Sequence, residues 1–441
     1  MSLKTPPKIR SLQESLYGKA KQQPDCSFHF LYDKVYREDI LAHAFALSRS
    51  NGGAPGVDGQ TFADVEAYGV ERWLGELREK LQREEYKPQA VRRVMIPKPG
   101  GVGERPLGIP TIQDRVVQTA VKLVVEPIFE ADFDDAAYGY RPGRSAIQAV
   151  QSVHGALRRG HTEVVDADLS KYFDTIPHAE LMKSIARRIS DGKMLHLIKQ
   201  WLKAPVEDKD ERGNRTMTGG KKSKQGTPQG GVISPLLANV YMHRFIRAFR
   251  QHQLSRRYGA VLVTYADDFV ILCARGATEV LEIARRWMTK IGLSINEQKT
   301  CVRDGRKESF DFLGYTFGPQ YSPRNGRQYL GAIPSKKATL RLKDKVRGVL
   351  RSGNHAPEEA IVGRLNRILR GWGNYFCYGT VAQQRVNLDR FVSQAMRRFL
   401  RRRHKLTTRG GRQYPWARLH GEMGVLSLQE LPRIQVANAF S

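Results

Sequence analysis

Two adjacent carboxylates interrupt a pair of apolar runs in this sequence, in the segment Tyr265-Ala266-Asp267-Asp268. The flanking residues 261–264 and 269–273 are rich in Val, Leu, Ile and Phe. Short runs of this kind around a tight polar break predict two antiparallel strands joined by a hairpin turn. Such a turn can present both carboxylates to one metal-binding cleft. Because Asp is also common in turns for purely local reasons, a structural role for the pair stays open.

A second acidic segment, EVVDADLSKYFDT at residues 163–175, contains a β-branched run that ends in Asp166 and Asp168. Side chains alternate along a strand, so both carboxylates are expected on one face, and the local pattern does not choose between them. Phosphoryl transfer by two metals needs carboxylates that hold ions roughly 3.5–4 Å apart, so that the attacking and leaving oxygens are both stabilised. Oxygen ligands of this kind suit Mg²⁺.

Further motifs form an ordered series along the chain. In sequence order the blocks are GGAPGVDG (52–59), VMIPKPGGVGERPLGIPTIQDRVVQ (94–118), YGYRPGRSA (138–146), DLSKYFD (168–174), QGTPQGGVISPLLANVYM (225–242), YADD (265–268), GLSINEQKT (292–300), FDFLGYTF (310–317) and RGWGNYF (370–376). This series resembles the reverse transcriptases with a maturase domain that group II introns encode, over almost the whole chain. The resemblance implies an α+β fold, a right-hand polymerase whose fingers and palm contain an RRM-like antiparallel sheet, followed by an all-α thumb or maturase domain.

The resemblance, together with stretches rich in Gly, Pro and charge, divides the chain into five segments. Residues 1–60 are the N-terminal extension and the start of the fingers, 61–160 the fingers, 161–317 the palm with the active site and interleaved fingers elements, 318–334 a linker, and 335–441 the helical thumb and maturase domain. Apolar periodicity predicts helices at 111–131 and 234–251. Residues 97–103 are expected to form a turn, and residues 208–224 an exposed polar loop.

Carried over by position, the resemblance selects Asp168 at the end of the predicted strand, because an aromatic residue follows it five positions later. Asp168, Asp267 and Asp268 are then the catalytic triad and the ligands of two Mg²⁺ ions, with Mn²⁺ as an alternative. Asp166 is then structural. Lys299 matches a position proposed in polymerases to protonate the departing pyrophosphate, although a lysine after a strand is ordinarily just exposed.

Five residues are expected to contact the incoming deoxynucleotide. Phe173 matches the bulky ring that lies beneath the sugar and excludes a 2′-hydroxyl, although an ordinary core aromatic would give the same pattern. Lys98 and Arg105 lie on either side of a glycine turn, and as cations they suit a clamp on the β- and γ-phosphates. Gln229 and Gly230 match a turn that meets the nucleotide, and the structural alternative is a glycine-rich loop ahead of a helix.

The net charge indicates a polyanionic partner without reference to any family. The formal charge is +29 and the pI about 10.1, and nucleic acid is the simplest partner for so basic a chain. Residues 335–441 hold 22 Lys and Arg against 6 Asp and Glu. Three apolar stripes in this region predict three amphipathic helices with cationic outer faces. The residues expected to bind nucleic acid there are Lys336, Lys337, Arg341, Arg367, Arg370, Arg397 and Arg398.

The predicted function is RNA-templated DNA synthesis. Its expected partners are an RNA template, a DNA primer and a group II intron RNA, which the protein would bind to assist splicing and mobility. Two alternatives stay open: a free-standing, domesticated reverse transcriptase in DNA repair or defence, and a mainly non-catalytic splicing cofactor. The sequence leaves the oligomeric state open.

The cysteine pattern and the absence of targeting segments bound the location of the protein. Four scattered cysteines suit neither a zinc knuckle nor a disulfide scaffold, so a reduced compartment is expected. Without a signal peptide or a membrane-length apolar run, a cytoplasmic location and no membrane partner are expected. Many relatives end in an endonuclease domain with paired cysteines and histidines, and we expect this form to lack one.

Overall fold

The computed structural model describes residues 3–97, 103–209, 214–228, 230–322, 325–351, 353–408 and 410–434. The first part is helical, since apolar residues recur at helical spacing and each long helix buries one face. Its helices are α1 Pro7–Gln22, α2 Tyr32–Val35, α3 Glu38–Asn51, α4 Phe62–Tyr68 and α5 Val70–Gln82. A capping box begins α4, because the Thr61 hydroxyl accepts from the Asp64 amide while the Asp64 carboxylate accepts from the Thr61 amide.

Strands and helices then alternate as far as residue 334. They are β1 Val91–Pro97, β2 Glu104–Ile109, α6 Ile112–Glu130, α7 Ala146–Arg158, β3 Glu163–Asp168, α8 Tyr172–Thr175, α9 His178–Ala186, α10 Gly192–Leu202, β4 Pro205–Lys209, β5 Arg215–Gly219, α11 Ser234–Gln251, α12 Leu254–Tyr258, β6 Val261–Tyr265, β7 Asp268–Cys273, α13 Ala277–Lys290, β8 Cys301–Asp304, β9 Phe310–Phe312, β10 Tyr315–Tyr321 and β11 Gln328–Pro334. Helices α6 and α11 confirm the predicted helices at 111–131 and 234–251. The Thr111 side chain caps α6, and Pro235 lies in the first turn of α11.

The strands form three sheets. In the first sheet the order is β2-β1-β4-β5, with β1 and β4 parallel and the other pairs antiparallel. The central sheet has the order β6-β7-β3-β8 and is antiparallel throughout. The third sheet has the order β11-β10-β9 and is also antiparallel. The β6–β7 hairpin confirms the strand reversal predicted from the apolar runs around the two carboxylates.

The central sheet is covered on both faces, by two different hydrophobic cores. Val165 and Ala167 of β3 face the first core, which includes residues of α6, α9, α11 and α13. Val164 faces the second core, which includes residues of α7, the third sheet and the C-terminal helices. Because side chains alternate along β3, Asp166 and Asp168 lie on the Val164 face. Both are only partly buried, so this face opens to solvent toward the end of the strand.

Two segments predicted to lack regular structure are strands in hairpins. Residues 318–334, predicted as a linker, hold most of β10 and all of β11, paired from Tyr315↔Pro334 to Tyr321↔Gln328. Residues 208–224, predicted as an exposed polar loop, hold the end of β4 and all of β5, which pair with each other. In each hairpin the two strands are hydrogen-bonded to each other. This pairing stabilises the strands even though Gly, Pro and charged residues give them a weak intrinsic preference for strand structure. Most of the predicted turn at 97–103 lies outside the described residues.

The C-terminal region is helical, as its apolar stripes predict. The long helices are α14 Lys336–Val349, α15 Glu358–Tyr375 and α16 Ala382–Arg403, and the short turns are a π-helical turn Ala417–Glu422 and a 3₁₀ turn Leu428–Glu430. Arg385 of α16 is fully buried and donates to five carbonyl oxygens, those of Gly373, Phe376, Leu428, Leu431 and Pro432. These bonds tie the segment after residue 425 to α15 and α16.

In the part of the chain that the structure describes, no helix combines the length and the apolar character that a membrane span requires.

Candidate active site

The β6–β7 hairpin turns through Ala266 and Asp267. Ala266 has a φ of +58°, in the left-handed region that a non-glycine residue adopts at some cost. An adjacent backbone segment holds this end of β6. The Thr264 amide donates to the Ala136 carbonyl at 2.8 Å, and the Tyr138 amide donates to the Thr264 carbonyl at 3.0 Å. The segment at 136–138 therefore fixes the position of the turn.

Gly139 lies directly against the hairpin tip. A Cβ at this position would be 2.5 Å from the Ala266 nitrogen and 3.0 Å from the Tyr265 carbonyl carbon. From the other side, the Asn239 side-chain amide of α11 donates to the Gly139 carbonyl at 2.7 Å. Only a residue without a side chain allows this approach, so Gly139 belongs to the support of the site.

Three carboxylates that are far apart in the sequence meet at this tip. Asp168, the last residue of β3, lies directly opposite Asp268, the first residue of β7, and Asp267 precedes Asp268 in the turn. Asp168 and Asp268 share the sheet face of Val164 and Val270, whose side chains lie in the second core. The structure therefore brings the predicted triad together at the open end of this face.

The crowding of like charge changes the acidity of these carboxylates. Burial, followed by the charges of Asp267, Asp168 and Asp166, raises the pKa of Asp268 to about 7. Burial, followed by the charge of Asp168, also raises the pKa of Asp267. Asp268 is exposed on one side, so its hydration is only partly lost and ions can still reach the carboxylate. The cluster carries a surplus of negative charge that a cation would offset.

Lys299 lies against the triad. Its ammonium donates to Oδ2 of Asp168 at 2.7 Å, and this hydrogen bond raises the pKa of the lysine. The backbone brings it there, because the Asn296 amide donates to the Asp168 carbonyl at 2.8 Å and Leu169 pairs with Ile295. The structure thus places Lys299 beside the carboxylate cluster, as an ion-pair partner of Asp168.

Phe173, Arg105 and Gly230 are the predicted nucleotide contacts that the structure describes. The Phe173 ring is half-buried beside Tyr172. The Phe173 carbonyl accepts from the Thr227 amide at 2.7 Å, which joins the segment around Thr227 to the backbone of Phe173. Arg105 is exposed on β2, where its charge reaches the hydroxyl of Tyr140. Lys98 and Gln229 lie outside the described residues.

Gly230 has a packing role in the structure. Its φ is +105°, and a Cβ there would overlap the Gly108 carbonyl oxygen of β2 and touch Leu107 Cδ1 at 3.0 Å. The glycine is required where this loop crosses the first sheet, whatever contact it makes with a nucleotide.

Tyr140 is a site residue to which the sequence analysis assigned no role. It has a φ of +56° and half of its surface is exposed, with its ring centroid 6.4 Å from that of Tyr265. Burial, followed by the charge of Asp267, raises the pKa of the Tyr140 hydroxyl. Its neighbour Arg141 is buried, pairs with Glu130 at 2.6 Å and holds the loop in place. The block YGYRPGRSA was the available signal, but nothing in it marks one residue as facing the carboxylates.

Comparison with known families shows which family this chain belongs to. Residues 96–317 match the family model "Reverse transcriptase (RNA-dependent DNA polymerase)", and residues 339–415 match "Group II intron, maturase-specific domain". The chain belongs to the group II intron reverse transcriptases. It is an RNA-directed DNA polymerase with a maturase region, and its fold is a mixed α and β polymerase part followed by a helical part.

Individual relatives agree with this assignment. Protein YkfC of Escherichia coli (strain K12) is 33% identical over 372 residues, covering 75% of this chain and 93% of that protein. The group II intron-encoded protein LtrA of Lactococcus lactis subsp. cremoris is 34% identical over 233 residues, covering 53% of this chain and 37% of that protein. The uncharacterized 91 kDa protein in the cob intron of Schizosaccharomyces pombe is 27% identical over 374 residues, covering 68% and 45%. The chain thus spans most of YkfC and less than half of the other two.

Reverse transcriptases generally use divalent metal ions, and the donor set of this site fits one. The three Asp side chains supply only oxygen, which a hard ion such as Mg²⁺ prefers. Among the described residues, no group of three His, Cys, Asp or Glu side chains is arranged to hold a metal ion. Mg²⁺ keeps several waters and is usually bound by one or two carboxylates together with substrate phosphates. The opposed pair Asp168 and Asp268 suits such an ion, and the substrate phosphates would complete its coordination shell.

The maturase region carries the basic surface expected from the sequence, with one exception. The exposed residues are Lys336, Lys337 and Arg341 of α14, Arg367 and Arg370 of α15, and Arg398 of α16. Arg397 is only partly exposed, and its Nε donates to the Tyr414 carbonyl at 2.8 Å, so it joins α16 to the segment after it. Family membership implies that this protein binds nucleic acid, including intron RNA.

Proposed function

We propose that Asp168, Asp267 and Asp268 hold two Mg²⁺ ions, with Mn²⁺ as an alternative, and that DNA synthesis on an RNA template takes place there. The observation that carries the proposal is the strand register, which sets Asp168 opposite Asp268 with Asp267 adjacent in the turn. When bound, the ions would activate the primer 3′-hydroxyl and stabilise the departing pyrophosphate. The raised pKa of Asp268 supports the proposal, because the cation would offset the charge that the protein concentrates there.

Three neighbouring side chains would serve the same reaction. Phe173 would lie beneath the sugar and exclude a 2′-hydroxyl, and its half-buried ring beside Tyr172 gives it the limited freedom that such a gate needs. Arg105 would bind the triphosphate from the first sheet. Lys299 would donate a proton to the pyrophosphate, and its hydrogen bond to Asp168 holds the protonated ammonium beside the carboxylates. Lys98, Gln229 and Gly230 are proposed as further nucleotide contacts.

The right-hand architecture is part of this proposal. Residues 1–60 would begin the fingers, residues 61–160 would complete them with the β1–β2 hairpin, and residues 161–317 would form the palm around the central sheet. Residues 335–441 would form the thumb and maturase domain. Residues 318–334, which pair in the third sheet, would belong to the structural support between palm and thumb.

The proposed partners are an RNA template and a DNA primer in the cleft, and an intron RNA on the basic helices of the maturase region. The match of residues 339–415 to the maturase-specific family favours a splicing role beside polymerisation. The two roles are separable, because the exposed cations of α14 and α15 are distinct from the carboxylate cluster. An intron that still splices with an Asp268→Asn protein would show that the RNA-binding role stands by itself.

Primer extension tests the catalytic proposal directly. Asp168→Asn and Asp268→Asn should each abolish extension of a DNA primer on an RNA template, since each removes a carboxylate from the opposed pair. Asp304→Asn is the matched control, because Asp304 lies on β8 of the same sheet and is bonded to Arg306 instead. RNA binding should be nearly unchanged in all three proteins. Full extension by Asp268→Asn would refute the assignment of the site.

A further inference from the structure

A charged cavity lies behind the central sheet. It has a volume of about 500 Å³ and lies where the end of α6, the end of α9 and the middle of α11 meet. Residues of these helices pack in the first core with Val165, on the opposite face of β3 from the carboxylate of Asp168. Its charged and polar lining includes four arginines, the carboxylates of Asp25, Asp132 and Asp134, and the imidazole of His243. The cavity and the triad are therefore on different sides of the sheet.

Two of the four arginines that line the cavity have acidic partners. Arg188 pairs with Asp132 at 3.0 Å, and Arg244 pairs with Glu180 at 2.9 Å. Each of these charges is neutralised within the protein. They therefore add little to the attraction that the cavity has for an anion.

Arg187 and Arg247 differ from the other two. Within the ranges that the structure describes, neither forms an ion pair nor donates a side-chain hydrogen bond to the protein. Arg187 is exposed at the mouth and Arg247 is half-buried. Burial, followed by the charge of Arg187, lowers the pKa of Arg247, and the Asp132 carboxylate offsets part of this effect. An anion between the two guanidinium groups would remove the repulsion that remains.

His243 adds a polar group without a partner. Its Nδ1 is buried and has no hydrogen-bond partner among the described residues. Burial, followed by the charge of Arg247, lowers the pKa of His243 to about 4, so the imidazole is neutral at physiological pH. A neutral imidazole can carry its proton on Nδ1 and donate it to an anion. A buried nitrogen of this kind is costly unless something binds to it.

We propose that Arg187, Arg247 and His243 form a binding site for a backbone phosphate of the RNA partner, on the opposite side of the sheet from the polymerase site. The proposal rests on the proposed function, in which the protein binds an intron RNA in addition to the template and primer. Guanidinium groups bind phosphate oxygens in a planar fork, and two of them matched to one phosphate give a defined contact. Because Arg187 is at the open mouth, the phosphate can belong to a continuous chain.

The test measures affinity for a long single-stranded RNA over a series of salt concentrations, by fluorescence anisotropy. Each phosphate contact contributes a slope of about −0.7 to log K against log salt for single strands, which is about four-fold in affinity at about 0.15 M salt. Arg187→Gln with Arg247→Gln removes this one phosphate contact, so it should weaken binding about four-fold and reduce the slope by about 0.7. The matched control is Arg256→Gln with Arg286→Gln, which removes the same charge from exposed positions outside the cavity.

Two further measurements distinguish an effect on RNA binding in the cavity from an effect on folding or on catalysis. Arg187→Lys with Arg247→Lys keeps the charge and should retain most of the salt slope. Extension on a short RNA template with a DNA primer should be unchanged in every variant, since the cleft is intact. Full extension by Asp268→Asn, together with weakened RNA binding by the Gln pair, would refute the catalytic proposal and leave the cavity proposal standing.

Several outcomes would overturn the cavity proposal. One is RNA affinity in the Gln pair that equals the wild type's, or that falls no further than in the control pair. Another is a salt slope that falls as much in the Lys pair as in the Gln pair, which would show that the charge of these side chains is not what binds the RNA. Inorganic phosphate could raise the unfolding temperature of the wild type but not of the Gln pair while RNA affinity is unchanged, and the site would then take free phosphate.

Discussion

Replacing Gly139 by Ala tests how the active-site hairpin is held. The added Cβ would be 2.5 Å from the Ala266 nitrogen, whereas an ordinary contact of this kind is 3.4 Å or longer. The nearest atoms are backbone, so the turn that carries Asp267 must move by about 0.9 Å. A displacement of about 1 Å at a catalytic group costs on the order of 100-fold in rate. Overpacking should also destabilise the fold by about 1–3 kcal/mol.

The assay is single-turnover primer extension on an RNA template, with the unfolding temperature of each protein measured alongside. Gly75→Ala is the matched control, because a Cβ there meets nothing within 4 Å and the residue lies inside α5. We expect the control to extend primers as the wild type does and Gly139→Ala to be slower by about two orders of magnitude while still folded. A Gly139→Ala protein that folds and extends primers at the wild-type rate would refute the idea that the 136–139 segment positions the carboxylates.

Three further predictions concern stability and substrate choice. The folded-state pKa of Asp268 is about 7 against an ordinary 3.8, so this carboxyl makes the fold less stable as pH rises through that window. Asp268→Asn should therefore raise the unfolding temperature at pH 8 without divalent ions. A gain in unfolding temperature that persists undiminished near pH 4 would contradict this reasoning. Arg385→Met should lower the free energy of unfolding by about 3–5 kcal/mol in chemical denaturation, since it leaves several buried carbonyls without a donor. Arg390→Met, at an exposed position on the same helix, should change this free energy little. Equal effects would show that the buried hydrogen bonds are not what stabilises this region. Phe173→Ala should increase ribonucleotide incorporation in single-nucleotide extension assays, and an unchanged preference for deoxynucleotides would remove Phe173 from the proposed sugar gate.

The sequence predicted the local elements of the site well, because each has a strong periodic signal of its own. The β6–β7 hairpin followed from two short apolar runs around a polar break, and the end of β3 from its β-branched residues. Helices α6 and α11 lie where the apolar spacing placed them. The three long helices of the maturase region also follow their apolar stripes.

The hairpins at 208–224 and 318–334 were missed because their own residues are poor strand formers. In β5 every residue is exposed, so no alternation of apolar and polar residues marks the strand. In β10 and β11 the pattern is broken by Gly318, Pro319 and Gly331. Their backbone groups are satisfied by a neighbouring strand, and a neighbour is information that a local window does not contain.

The role of single residues depended still more on distant parts of the chain. Arg397 has the same charge as Arg398 beside it, yet only the structure shows that Arg397 binds the Tyr414 carbonyl. Gly230 read as part of a nucleotide-binding turn, and the structure adds that it must pass the Gly108 carbonyl. Neither the hydrogen-bond partner of Arg397 nor the space available at Gly230 can be predicted from the neighbouring residues in the sequence.

By itself the sequence determined the hairpin, the acidic strand end and the basic amphipathic helices, since periodicity and charge act over a few residues. Only the tertiary structure decided that Asp168 lies opposite Asp268, that Lys299 bonds to Asp168, and that Gly139 supports the turn between them. These contacts join residues that are scores of positions apart, and they exist because two hydrophobic cores bury the opposite faces of one sheet and thereby fix its register.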